Sequence, residues 1–438
     1  IASVRRQLAN RIIGAMTMSA LAFSPSRRGL LFGAGALALA GCAAGQGRWL
    51  DGPQAALRYP ALQGVLNGWV ADGRLSGAAI GLRHGDGPEA FLQAGRLDHD
   101  PTSALVGRNT LFRIYSMTKP ITGVGTALLI EDGRLSLDTP VADLVPEMGR
   151  VEVARNPDRG LDGRAPASPM TVRHLLTHTA GLTYHFFDGP IADAYRRAGL
   201  FPVTGYSLAE KPIDGPKVHD LDEFGRRLGE IPLRFDPGTA YHYSVGLDLL
   251  GLVIQRASGM SFPDFLQRRL FDPVGMNDTL WEIRRADQAR LMALYDYSGE
   301  QRIVRDDRTN SAYAEPVTLF AGGAGLISTA TDYLAFLTTL LDDGRAGSVR
   351  VMEPETARLV RTDILPSGVN PENGAFRFGF GGSVKEPSGE YGWGGAAGTL
   401  GWLDPSTRTA VTVMVQQFGQ QIDVNGDVRR ALERDVGA

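Results

Sequence analysis

The stretch Phe112-Arg-Ile-Tyr-Ser116-Met-Thr-Lys119-Pro120-Ile121 decides how the rest of the chain reads. Ser116 and Lys119 stand three residues apart. On a helix that spacing puts both on one face, with the Lys amine one turn from the Ser hydroxyl. Met117, Ile121, Val124 and Leu128 repeat at helical spacing, so a core helix is expected from about Ser116 to Glu131, closed by Gly133. Pro120 then falls in the first turn, where a missing N–H costs little. Ser116 would sit at the helix N-terminus, among free N–H groups and the positive end of the dipole.

Chemically this is a nucleophilic Ser beside an amine that must at times be neutral. Composition sharpens the point. Of the 45 Lys plus Arg, the lysines are only Lys119, Lys211, Lys217 and Lys385. A chain that uses Arg almost everywhere keeps Lys where Arg could never release its proton. A Ser-x-x-Lys pattern still arises by chance about one time in five in such a chain, so the motif needs partners.

With 438 residues, 43% hydrophobic and 21% charged, the chain is globular with a sizeable core. A net charge of −3 offers nothing to nucleic acid. No repeat or low-complexity tract is present. Residues 1–41 read as an export signal: Ser26-Arg27-Arg28-Gly29-Leu30-Leu31 resembles a twin-arginine signal, and Leu30 to Gly41 is an apolar run too short to span a bilayer. Leu39-Ala40-Gly41-Cys42 resembles a lipobox. A lipid on Cys42, the only cysteine, would tie an exported chain to a membrane, and it leaves no intrachain disulfide.

After a linker at 42–52, an amphipathic pattern from Pro53 to Gly73 (Leu57, Tyr59, Leu62, Val65, Leu66, Trp69, Val70) predicts a helix. Two strands follow, near Ala78–Arg83 and Ala90–Gly95, with Gly85-Asp86-Gly87 turning between them. Strand signals return only after about residue 310. The expected fold is therefore an α/β (α+β) domain from 53–150 and 310–438, with a helical insert at 151–309.

Three further stretches carry candidate chemistry. Met170 to Leu182 predicts a helix capped by Thr171 and stopped by Gly181, with His174 and His178 at i, i+4. A zinc site would need Glu directly after the first His, and Leu175 is there, so no metal is expected. Asp236-Pro-Gly-Thr-Ala-Tyr241-His-Tyr243-Ser-Val245-Gly246 delivers tyrosines at the head of the apolar helix Leu247–Ala257. A phenol there could relay a proton to or from Ser116, and spacing alone does not choose between Tyr241 and Tyr243. Glu390-Tyr-Gly-Trp393-Gly394-Gly395-Ala396-Ala-Gly398 runs into two apolar segments, Leu400–Leu403 and Ala410–Gln416, that read as a buried hairpin about an Asp404-Pro405-Ser406 turn. Its small residues let a ligand approach the backbone, where an N–H could pair with that of Ser116 as an oxyanion hole. No G-x-S-x-G elbow occurs, which argues against an α/β-hydrolase.

In this order, S-x-x-K, Tyr-Ser and Trp-Gly-Gly resemble the serine β-lactamase and penicillin-binding-protein superfamily. The esterase branch often called family VIII carboxylesterases, similar to class C β-lactamases, is the nearest in pattern. The resemblance spans about residues 55–435 and includes His174 to Leu182 and Gly322 to Asp332. It implies an antiparallel sheet flanked by helices, with the site between the sheet and the helical insert. It implies Ser116 as acylated nucleophile, Lys119 as its activator, Tyr243 rather than Tyr241 as proton shuttle, and the Ala396 N–H as second oxyanion donor. Trp393-Gly394-Gly395 then stands where the lactamases have Lys-Thr-Gly. Val245 replaces the Asn of Tyr-x-Asn, so two groups expected to hold a β-lactam are missing. A Trp wall suits an apolar acyl or alcohol part instead. The expectation is an exported serine esterase for small, mostly apolar, short-chain esters, working through an acyl-enzyme without metal or organic cofactor. A β-lactamase or D-Ala-D-Ala carboxypeptidase, and a non-catalytic envelope binding protein, are the rival readings.

Overall fold

The computed structural model describes residues 49–202, 215–297, 301–419 and 422–437. The export segment and Cys42 lie outside the described residues. Among those described, no helix is long and apolar enough to cross a membrane.

An eight-stranded sheet frames the molecule, in the order Leu50–Asp51, Ala90–Gly95, Gly77–His84, Thr409–Met414, Leu400–Asp404, Glu390–Gly394, Ser383–Lys385, Arg377–Phe378. Only the edge strand Leu50–Asp51 pairs in parallel. Both hairpins read from the sequence are present: Ile80 faces Leu92, and Trp402 faces Val411. Val413 also faces Ile80, so chain segments more than three hundred residues apart are zipped together at the sheet centre.

Alternation along these strands sorts side chains between two cores. Ala78, Ile80, Leu82, Trp402, Val411 and Val413 pack on one face against the helices Pro60–Ala71 and Val424–Val436. The other face receives the helix Ala330–Leu341. A Cβ on Gly81 would lie 2.9 Å from the Ala330 carbonyl, so glycine is what allows that approach. Buried on both faces, the central strands read as nearly unbroken apolar runs. The helix Thr118–Glu131 lies deeper still, buried continuously from Thr118 to Leu129. Truncating one of its core residues, such as fully buried Leu128, would cost about 2–5 kcal/mol.

Four local expectations need correcting. The helix expected over Pro53–Gly73 is two, Pro53–Arg58 and Pro60–Ala71, parted at Tyr59. Pro60 pushes the residue before it out of the helical region and offers no N–H to bridge the gap. Ser116 lies not in the α-helix but in a 3₁₀ turn, Tyr115–Met117, that leads into it. That turn still brings i and i+3 side chains together. The helix expected to run to Gly181 spans only Val172–Leu176. The backbone turns left-handed at His178, with φ 57°, so His174 and His178 do not share a helical face. Lastly, strands occur before residue 310: Leu294–Asp296 pairs with both Ile303–Asp306 and Gln417–Phe418. Ile303 and Val304 are both exposed, so that segment shows no alternation to read.

Candidate active site

The position of Ser116 begins with a short strand, Phe112–Arg113, paired with Ile327–Ser328. Arg113 is fully buried; its guanidinium bonds Asp306 and the Met292 carbonyl, each at 2.6 Å. The Gln416 carboxamide accepts the Arg113 N–H at 3.1 Å and donates to its carbonyl at 3.0 Å, standing in for a neighbouring strand. This pins the backbone three residues before Ser116. Tyr115 then adopts φ 42°, uncommon for a non-glycine residue, and delivers Ser116 at the head of the helix.

Two groups converge on the Ser116 hydroxyl. Lys119 Nζ donates to Ser116 Oγ at 3.1 Å, and Tyr243 Oη donates to it at 2.7 Å. Spacing left Tyr241 and Tyr243 equal; the fold separates them. Tyr243 bonds Ser116 Oγ, whereas the ring of Tyr241 packs with Phe376, Phe378 and His178. Val245 is fully buried at the start of the helix Gly246–Ser258, its N–H bonded to the Thr183 carbonyl.

Lys119 is fully buried. Its second hydrogen bond goes to the Gly323 carbonyl at 2.7 Å, and its amine lies 4.7 Å from the Tyr243 ring and 5.5 Å from that of Tyr184. Burial drives its pKa far down, to about 7, against the opposing pull of the Asp248 carboxylate. A neutral amine is therefore within reach near neutral pH. Asp248 shifts the other way: burial raises it, opposed by Lys119 and by the Gly323 N–H. Asp248 accepts that N–H at 2.7 Å, and Tyr184 donates to it at 3.4 Å.

The proposed oxyanion donors also have a physical setting. Gly395 packs so tightly against the backbone leading into Ser116 that a Cβ would lie 2.4 Å from the Ile114 carbonyl oxygen. Its N–H bonds the Thr399 carbonyl, and its carbonyl accepts from Gly398, which folds Gly394 to Gly398 into a turn beside Ser116. Among the described residues, the N–H groups of Ser116 and Ala396 donate to no protein acceptor. Trp393 closes the side of the site, 6.0 Å from the Tyr243 ring and 5.1 Å from Phe378. Its indole N–H is buried without a partner among the described residues.

A buried Ser whose hydroxyl accepts from an amine and a phenol, with N–H groups of Ser116 and Ala396 left for a substrate oxygen, suits acyl transfer. The Beta-lactamase family profile matches residues 62–435. The chain belongs to the beta-lactamase family. It is 31% identical over 357 residues to esterase EstB of Burkholderia gladioli, covering 78% of this chain and 83% of that protein. It is 30% identical over 365 residues to the lovastatin esterase of Penicillium rubens, covering 74% and 84% respectively. In fold it is similar to EstCE1, described as a hydrolase with promiscuous acyltransferase activity: TM-score 0.70, 24% identity, 86% of this chain and 99% of that one.

The sequence assigns Asp248 and Tyr184 no role, and Gly323 enters only within the Gly322 to Asp332 stretch of the resemblance. Asp248 was findable as the one carboxylate in the otherwise apolar run Leu247–Ile254. Gly323 carries no local signal; a Cβ there would lie 2.5 Å from an Asp248 oxygen, a clash only the fold reveals.

Proposed function

We propose that the chain is a serine carboxylesterase that cleaves small, mostly apolar esters through an acyl-enzyme on Ser116. The observation that carries the reading is the pair of hydrogen bonds from Lys119 and Tyr243 to one Ser hydroxyl. In acylation, neutral Lys119 takes the Ser116 proton as Oγ bonds to the ester carbonyl carbon. The oxyanion sits on the Ser116 and Ala396 N–H groups. The carbonyl then reforms, the ester C–O bond breaks, and the proton passes from Lys119 by way of Tyr243 to the departing alkoxide. Water, deprotonated by the same groups, frees the acid and restores Ser116. The esterase relatives support this chemistry.

Trp393 and Val245 favour uncharged esters over β-lactams. A charge-assisted hydrogen bond is worth roughly 1.5–3 kcal/mol, so a site without the lactamase cation loses about 10- to 100-fold on a carboxylate-bearing substrate. The test is kcat/KM for p-nitrophenyl butyrate and nitrocefin on one preparation, with Ser116→Ala as blank. Faster butyrate hydrolysis is expected; a preference for nitrocefin would overturn the substrate assignment.

We extend the reading to location: export through residues 1–41 and lipid attachment at Cys42, supported by the twin-arginine-like run and the residues before Cys42. Metabolic palmitate labelling that disappears in Cys42→Ala tests it.

A further inference from the structure

His178 is a buried polar side chain that this chemistry leaves unused. It has no exposed surface and holds a left-handed backbone conformation, with φ 57°. Its ring lies 4.6 Å from that of Tyr243, and meets those of Phe378 and Tyr241 at 75° and 83°.

Its hydrogen bonds go to the residues flanking Tyr243. The His178 carbonyl accepts the His242 N–H at 2.9 Å. Its Nδ1 accepts the Ser244 N–H at 3.1 Å, with Ser244 Oγ also 3.1 Å away. A backbone N–H can only donate, so Nδ1 carries no proton and a neutral ring must be protonated at Nε2. Nε2 has no hydrogen-bond partner among the described residues. An imidazolium would lose the Nδ1 acceptor and add a second buried N–H. Burial, with the charges of Lys119 and His242, holds the His178 pKa well below the usual value, so the ring stays neutral.

We propose that His178 is the positioning residue for Tyr243, a neutral Nε2–H imidazole that ties down the backbone on both sides of it and so sets the reach of its hydroxyl to Ser116. The inference rests on the assignment of Tyr243 to proton transfer. The segment bearing Tyr243 belongs to no strand, so no regular ladder fixes its height above Ser116. His178 bonds both flanking residues through its ring and its carbonyl, while Thr183 holds the next ones, its Oγ1 2.9 Å from His242 Nε2 and its carbonyl accepting the Val245 N–H. A misplacement of about 1 Å at a reacting group costs about 100-fold.

The test is a cycle of His178→Phe, Tyr243→Phe and the double variant, read by kcat and KM on p-nitrophenyl butyrate and by the rate of fluorophosphonate labelling. His178→Phe is expected to lower kcat about 10- to 100-fold with little change in KM, but to cost less than about threefold where Tyr243 is already Phe. His178→Asn tolerates the left-handed backbone and offers an oxygen near the place of Nδ1, so it should recover activity to within about fivefold of wild type. Nitrogen-15 NMR of the wild-type protein should report the Nε2–H tautomer. Equal losses from His178→Phe in both backgrounds would overturn the inference. So would a folded but inactive His178→Asn, or an Nδ1–H tautomer. If His178→Phe does not fold, the Asn variant and the tautomer decide. A Tyr243→Phe enzyme at wild-type rate would instead overturn the Tyr243 assignment, and the inference with it.

Discussion

Lys119 and Asp248 are joined through a single residue, Gly323. The Gly323 carbonyl accepts from Lys119 at 2.7 Å, and the Gly323 N–H donates to Asp248 at 2.7 Å. The carboxylate therefore acts on the amine through its field rather than by a direct hydrogen bond, raising a pKa that burial has lowered.

That field sets a pH dependence. If Lys119 must be neutral to accept the Ser116 proton, activity rises with pH through its pKa of about 7. Asp248→Asn removes the group that raises this pKa, so the pKa falls and the acid limb of kcat/KM should move to lower pH. A pH–rate profile for both proteins checks the sign. A limb moving to higher pH would mean that Lys119 does not set it.

Lys119→Arg keeps the charge and removes the neutral state, since Arg holds its proton above a pKa of about 12. Loss of general-base catalysis predicts a fall of about 10²- to 10⁴-fold in kcat/KM. Circular dichroism should confirm folding before the rates are compared, because the larger guanidinium enters a fully buried site. An Arg variant that kept most of its rate would reduce Lys119 to packing or electrostatics.

Gly395→Ala tests the oxyanion turn. Its Cβ would lie 2.2 Å from Thr399 Oγ1 and 2.4 Å from the Ile114 carbonyl oxygen, so the turn carrying Ala396 must shift. Losing one oxyanion donor costs about 10²- to 10³-fold in kcat. The expected signature is a large fall in kcat with KM within a few-fold, measured on p-nitrophenyl butyrate.

Trp393→Lys puts a cation where the resemblance sets the Lys of Lys-Thr-Gly, a position that is an aromatic wall in this chain. Nitrocefin kcat/KM should rise by up to about 10- to 100-fold. The same change should lower the melting temperature, because Trp393 is buried against Phe376, Phe378 and the Tyr243 ring. No gain on nitrocefin in a folded variant would mean that Trp393 does not occupy the Lys position.

What the sequence revealed followed the range of each interaction. Ser116 and Lys119 are three residues apart, so helical geometry alone relates them. The strands around Ile80, Leu92, Trp402 and Val411 declare themselves by local apolar runs and turns. Tyr243 was one of two equal candidates until its order among the motifs, and then a 2.7 Å bond, separated it from Tyr241. Asp248, Gly323 and His178 gain meaning only when segments distant in sequence meet. The helix ends at Leu176 with a left-handed turn at His178, whereas Gly181 read as the stop carries it further. Tyr59 was the opposite case, a break legible in the proline that follows it.

The central claim is that Ser116 carries the acyl group. The direct measurement is peptide mass mapping after acid quench of the wild-type protein turning over p-nitrophenyl butyrate, with a fluorophosphonate-labelled sample alongside. Both adducts should lie on the peptide holding Ser116, with neither adduct nor turnover in a folded Ser116→Ala. That substitution should cost at most about 2 kcal/mol of stability. An adduct on any other residue, or turnover retained in Ser116→Ala, would contradict it.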